Sequence, residues 1–126
     1  MTYYHGGVPG LVLGASILPP SRTGCRDSAK AIVTEYGMDG GHVRDDVVFL
    51  GTLEIAELFA AMYPDVAGGW VYEVDPVGLV APDPDYHGPD PDESVQCPSA
   101  VIVRVVGPLS REYVAMVRRV MLDGAA

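Results

Sequence analysis

The sequence predicts a compact single domain of the α+β class, with mixed or antiparallel sheets and a few helices, over residues 1–126. Three observations predict it. Short apolar runs of strand length, at Tyr3 to His5, Val47 to Leu50, Trp70 to Val74 and Ala100 to Val106, outnumber the clear helical repeats. Those repeats do not alternate regularly with the strands, as the crossover helices of a parallel sheet would. A chain of 126 residues also buries roughly two-thirds of its unfolded surface in one core, so no second domain is required.

Taken in order, Tyr3 to His5 is a short strand whose alternation sends Tyr4 to one face and His5 to the other. Gly6 and Gly7 then let the backbone approach a ligand or take positive φ. Leu11 to Leu18, interrupted by Gly14, ends at Pro19-Pro20, and Pro19 to Gly24 is a loop by composition. Asp27 to Tyr36 permits a short helix capped by Asp27 or Ser28, while Ile32-Val33-Thr34 equally permits a strand. Gly37 to Asp46 is a polar loop turning at Gly40-Gly41. Thr52 caps a helix from Leu53 to about Tyr63, with Glu54 near its positive end and Ile55, Leu58, Phe59 and Met62 on one face. Pro64 stops it. The strand from Trp70 ends at Pro76, and Trp70 and Tyr72 are expected in the core or a cleft wall. Gly78 to Ser94 holds too many prolines for a central strand or a helix and is expected to be a long structureless loop. The valine run from Ala100 to Val106 suggests a strand buried on both faces, interrupted only by Arg104. A last helix from Ser110 to Leu122 sends Tyr113, Val117, Val120 and Met121 inward and stops at Gly124.

Eight basic residues against 17 acidic ones give a net charge of −9. Such a chain repels phosphate backbones, which disfavours non-specific nucleic-acid binding. Arg22, Arg26 and Lys30, or Arg104, Arg118 and Arg119, are the places for a local basic patch, and a solvated charge run is the simpler reading. Cys25 and Cys97 are too few for a disulfide framework and lack metal-site spacing, so no metal is expected. Cys97 reads as a small buried residue, Cys25 as a loop thiol. No run is long enough to span a membrane, and the first residues lack a basic segment and an apolar core. The expected location is the cytoplasm.

Several stretches together carry a likeness to a known family. Tyr4-His5-Gly6, followed by Val12-Leu13-Gly14-Ala15-Ser16-Ile17-Leu18-Pro19, resembles the aromatic-His-Gly motif and following glycine loop of the ADP-ribosyltransferase superfamily, nearest to the small rifampin ADP-ribosyltransferases. Val48-Phe49-Leu50-Gly51-Thr52 is similar to that family's second motif, with Phe49 where the family has tyrosine. Tyr72-Glu73-Val74-Asp75-Pro76-Val77-Gly78 resembles its next strand. The likeness runs from Tyr3 to Val106. It implies an ADP-ribosyltransferase-like fold that takes NAD as substrate, with His5, Gly6, Gly14, Phe49 and Thr52 at the cofactor. It also implies an acid or amide that stabilises positive charge on the ribose. Rifampin-type enzymes point to Asp83, with Asp85 second; other branches point to Gln96 or Glu93.

The expected activity is NAD-dependent transfer of ADP-ribose, with release of nicotinamide, to a small molecule such as a rifamycin, a nucleic-acid base or a protein. The residues alone leave blander readings open. His5 can be a structural histidine, Phe49 a core aromatic, Asp83 and Asp85 turn formers, and His42 and His87 loop histidines. The alternatives are a degenerate NAD or ADP-ribose binder, or an acidic domain that engages a basic protein.

Overall fold

The computed structural model describes residues 1–23 and 46–125 of the chain. Seven strands form one sheet: β1 (Tyr3–Gly7), β2 (Ser16–Ile17), β3 (Val48–Gly51), β4 (Trp70–Val77), β5 (Ala81–Pro82), β6 (Ser94–Cys97) and β7 (Ser99–Pro108). Their order across the sheet is β2-β7-β4-β1-β3-β6-β5, and neighbouring strands are antiparallel. Among the described residues three α-helices accompany them: α1 (Pro20–Thr23), α2 (Leu53–Met62) and α3 (Arg111–Ala125). The domain is therefore α+β with an antiparallel sheet, one of the two sheet types expected.

Helix α2 starts where its cap dictates. Thr52 has extended backbone angles, and its hydroxyl accepts the Ile55 N–H at 3.3 Å, with Glu54 in the first turn. The face it buries is not the one expected. Ala56, Ala60, Ala61 and Met62 are buried, whereas Ile55 and Phe59 are half-buried and Leu58 is exposed. The reason lies below it on β1, where a Cβ at Gly6 would overlap the Ala56 carbonyl. Glycine under alanine lets the helix rest directly on the strand, and Tyr4 and Val71 close that contact.

Helix α3 packs on α2 through Val114 and Val117 against Ala61 and Met62, with Phe59, Leu109, Tyr113 and Met121 around them. Val120, expected inward, is 62% exposed because it falls on the margin of this single stripe. The helix also runs through Gly124 to Ala125, past the expected stop. The opposite face of the sheet carries the larger core, with Leu50, Tyr72, Val74, Val95, Cys97 and Ile102 among its buried members.

Three segments depart from expectation. Pro19 to Gly24, expected as a loop, holds the short helix α1 at Pro20–Thr23. Strand β7 is not buried on both faces: Val103, Val105 and Val106 are 36–40% exposed. Its pairing explains this, because Glu73↔Arg104 is followed by Val74↔Ile102, and Val71↔Gly107 by Tyr72↔Val105. Val103 and Val106 are thus extra residues at two bulges, which break the alternation. Gly78 to Ser94 is not structureless either. Ala81 and Pro82 form the edge strand β5, where a proline is tolerated, and Pro91–Glu93 is a 3-10 turn with proline at its start. The helix-or-strand at 27–36, the loop at 37–45, Cys25, Arg26, Lys30 and His42 lie outside the described residues.

Candidate functional site

Strand β1 sits between β4 and β3, and the two pairings differ. It pairs with β4 along its whole length, from Tyr3↔Val74 to Gly7↔Trp70, but with β3 only at Tyr4↔Gly51. Beyond that bridge β1 and β3 part, and the sheet forks. Both strands line a cavity of about 250 Å³, which is also walled by Ile55 and Phe59 of α2, by Tyr63 at that helix's C-cap and by Ser16–Leu18. Among the described lining residues no side chain is acidic, lysine or arginine; His5, Tyr4 and Tyr63 are its titratable groups.

His5 spans the fork. Its Nδ1 lies 2.8 Å from the Phe49 carbonyl oxygen, and a carbonyl can only accept, so Nδ1 carries the proton and donates. Nε2 is then a lone-pair acceptor. It stands over Gly7, where a Cβ would come within 2.9 Å of it. Burial pushes the imidazole below its usual pKa, and the bond to Phe49 works in the other direction without reversing this. The ring is neutral at physiological pH, with one nitrogen committed to the scaffold and one able to accept from a ligand hydroxyl. Phe49 lines the same cavity, and its ring lies parallel to that of Phe59, with centroids 6.4 Å apart and an interplanar angle of 1°.

Three expected cofactor residues, His5, Gly6 and Phe49, therefore meet at one cavity. The others do not line it. Gly14 has φ +86° and donates its N–H to the Ile102 carbonyl at 2.9 Å. The Thr52 hydroxyl is engaged by the helix cap. Asp83 stands at the end of β5, where its Oδ2 accepts from the Ser94 hydroxyl at 2.9 Å and its Oδ1 from the Asp85 N–H at 2.9 Å. Gln96 lies opposite Phe49 in the β3–β6 register and so shares its face of the sheet; it is 9% exposed, and its Oε1 has no hydrogen-bond partner among the described residues. The Glu93 carboxylate accepts from the Tyr86 hydroxyl, and that bond, with a smaller contribution from desolvation, raises the phenol's pKa above its usual value.

The sequence reading missed Phe59, Tyr63 and Ser94 as parts of the site. Phe59 and Tyr63 follow Ile55 at four-residue steps, and that spacing marks a common helix face. Nothing local marks Ser94, which is 2% exposed and holds Asp83 from across a strand pair.

Two of the arginines suggested for a basic patch are engaged elsewhere. Arg104 pairs with Glu73 at 3.1 Å on the sheet, and Arg118 binds carbonyls at the end of α2. Among the described residues no group of three or more His, Cys, Asp or Glu is placed to hold a metal ion. No described helix is long and apolar enough to cross a membrane. What fold and site define together is a small antiparallel α+β domain with a cavity at a fork in its sheet whose described lining is mostly apolar and carries no carboxylate, lysine or arginine. No family model and no curated protein matches the chain.

Proposed function

We propose that the cavity at the β1–β3 fork receives the nicotinamide-ribose end of NAD and that the protein transfers ADP-ribose from NAD to an acceptor. The observation that carries this reading is the meeting of His5 and Phe49, 44 residues apart in sequence, at one cavity with no charged side chain among its described lining residues. Nicotinamide is a planar ring bearing an amide, and Phe49 offers an aromatic face to it. The ribose hydroxyls are donors, and His5 Nε2 is a neutral acceptor. Past Tyr4, the β1 edge that faces the cavity has no strand partner from β3, which leaves backbone groups for the carboxamide.

In the proposed reaction the bond between ribose C1 and the nicotinamide nitrogen breaks, and its electron pair leaves with nicotinamide, which becomes neutral. Positive charge develops on the ribose, and the acceptor attacks C1 and loses a proton. The resemblance assigns Asp83, which stands outside the cavity's described lining, to stabilise that charge, with Gln96 the other candidate. The acceptor is a small molecule such as a rifamycin, a nucleic-acid base or a protein. The test is incubation with NAD and each acceptor class, reading free nicotinamide, with His5→Ala as control. Release by the wild type and its loss in His5→Ala is the expected result; no release with any acceptor defeats the transfer.

A second reading, NAD binding without transfer, is favoured by one observation: no carboxylate lines the cavity among the described residues. Calorimetry separates the two, since this reading gives binding heat with no nicotinamide.

A further inference from the structure

We infer that Tyr72 is a positioning residue whose hydroxyl holds the Val8–Leu11 loop in place as a wall of the ligand cavity. Tyr72 lies on β4 directly opposite His5 and is fully buried. Its ring belongs to the larger core, yet its hydroxyl leaves that core to meet two backbone groups of one loop. It donates to the Val8 carbonyl at 2.5 Å and accepts the Leu11 N–H at 3.1 Å. Val8 and Leu11 both line the cavity.

Apart from Leu11, whose side chain packs against the larger core, the loop is exposed at Val8 and Gly10. Gly10, between the two bonded residues, has φ +81°, with nothing within 4 Å of the place where a Cβ would stand. Val12 and Leu13 are 66% and 67% exposed. Only beyond them is the chain tied again, where Gly14 donates to Ile102 and Ile102 to Ala15, each at 2.9 Å. Between β1 and that second tie, the phenol is the one side chain that bonds the loop backbone among the described residues. A phenylalanine would fill the same core volume, so the oxygen serves the loop and not the packing. Burial raises the phenol's pKa, with the Leu11 bond pulling the other way, so the proton that Val8 receives stays in place across the ordinary pH range.

The readout with a ligand rests on the NAD reading above, and the exchange readout does not. Tyr72→Phe removes the oxygen and leaves the ring. In the full-length protein, hydrogen exchange over residues 8–14 is expected to quicken about tenfold, the scale of one lost hydrogen bond, while segments of β3 and β6 exchange as before. Calorimetry with NAD is expected to show about tenfold weaker binding, and in turnover KM rises while kcat holds. Gly10→Ala strains the same loop from its solvent side without touching the core, and is expected to weaken NAD binding as well. It also serves should Tyr72→Phe fail to fold.

Unchanged exchange over residues 8–14 in Tyr72→Phe overturns the inference. So does quickened exchange with unchanged NAD affinity, or an unaffected affinity in Gly10→Ala. A wild type that binds no NAD, but whose loop loses protection in Tyr72→Phe, defeats the NAD reading and upholds the tie between phenol and loop.

Discussion

His5 is neutral because the protein surrounds it, and this gives it a signature in pH. The unfolded chain's imidazole titrates near 6.5, whereas burial lowers the folded value. Between the two, the unfolded chain binds the extra proton, so the stability contributed by the neutral ring is fully present above pH 6.5 and is lost as pH falls toward the folded pKa. The melting temperature is expected to drop between about pH 7.5 and about pH 5.5, before the carboxylates titrate, and to drop less in His5→Gln, which keeps a donor for Phe49. Equal slopes would assign the proton to another group. Gly6 makes a different kind of prediction, because Ala56 and Ala60 backbone atoms occupy the space a Cβ needs. Gly6→Ala should lift α2 from the sheet and cost roughly 1–3 kcal/mol in urea unfolding, the range for overpacking. A change within experimental error would mean that the helix yields. Gly6 was legible as a close-approach glycine, but the partner was taken to be a ligand and turns out to include a helix backbone. Tyr72 was legible as core or cleft wall, but not its bond to the loop, since a phenol's partner 61 residues away leaves no trace in the local pattern.

Element by element, what was legible follows from how local its cause is. The Thr52 cap, the stop of α2 before Pro64 and strands β3 and β4 are set by neighbours in sequence, and each is found where the pattern puts it. Strands β2 and β5 have two residues each and exist only because β7 and β6 present partners, so no period could announce them. The valines of β7 misled because bulges are decided by pairing with β4 and not by composition. The end of α2 shows the same dependence on distance. Arg118, from α3, donates through Nε to the Ala61 carbonyl at 3.0 Å and through Nη2 to those of Tyr63 at 2.5 Å and Asp65 at 2.6 Å. Those are oxygens at and just past the last turn of α2; the Tyr63 and Asp65 carbonyls also accept the Asp65 and Gly68 N–H groups, so the guanidinium adds to the bonds that close the turn. Arg118→Met keeps the apolar stem and removes the guanidinium. It should cost about 1–3 kcal/mol in denaturant unfolding, with amides near Ala61 exchanging faster. A loss confined to α3 amides would show that the arginine serves its own helix alone.

At the scale of the whole molecule, charge and cavity bear on the same question. The chain carries a net charge of −9, and NAD brings a pyrophosphate, so the long-range field opposes its approach. Within the described part of the cavity no lysine or arginine answers that field, and Arg104 and Arg118 are paired elsewhere. Affinity in the proposed complex must then come from short-range contacts at the nicotinamide-ribose end, from Phe49, His5 and the open edge of β1. Added salt screens repulsion and has no ion pair there to weaken. Raising ionic strength from about 20 mM to about 300 mM shortens the Debye length several-fold, so the Kd for NAD should stay level or fall. Titration calorimetry at the two salts is the measurement. A Kd that rises several-fold with salt would mean that a cation grips the pyrophosphate, and would move the weight of recognition away from the β1–β3 fork.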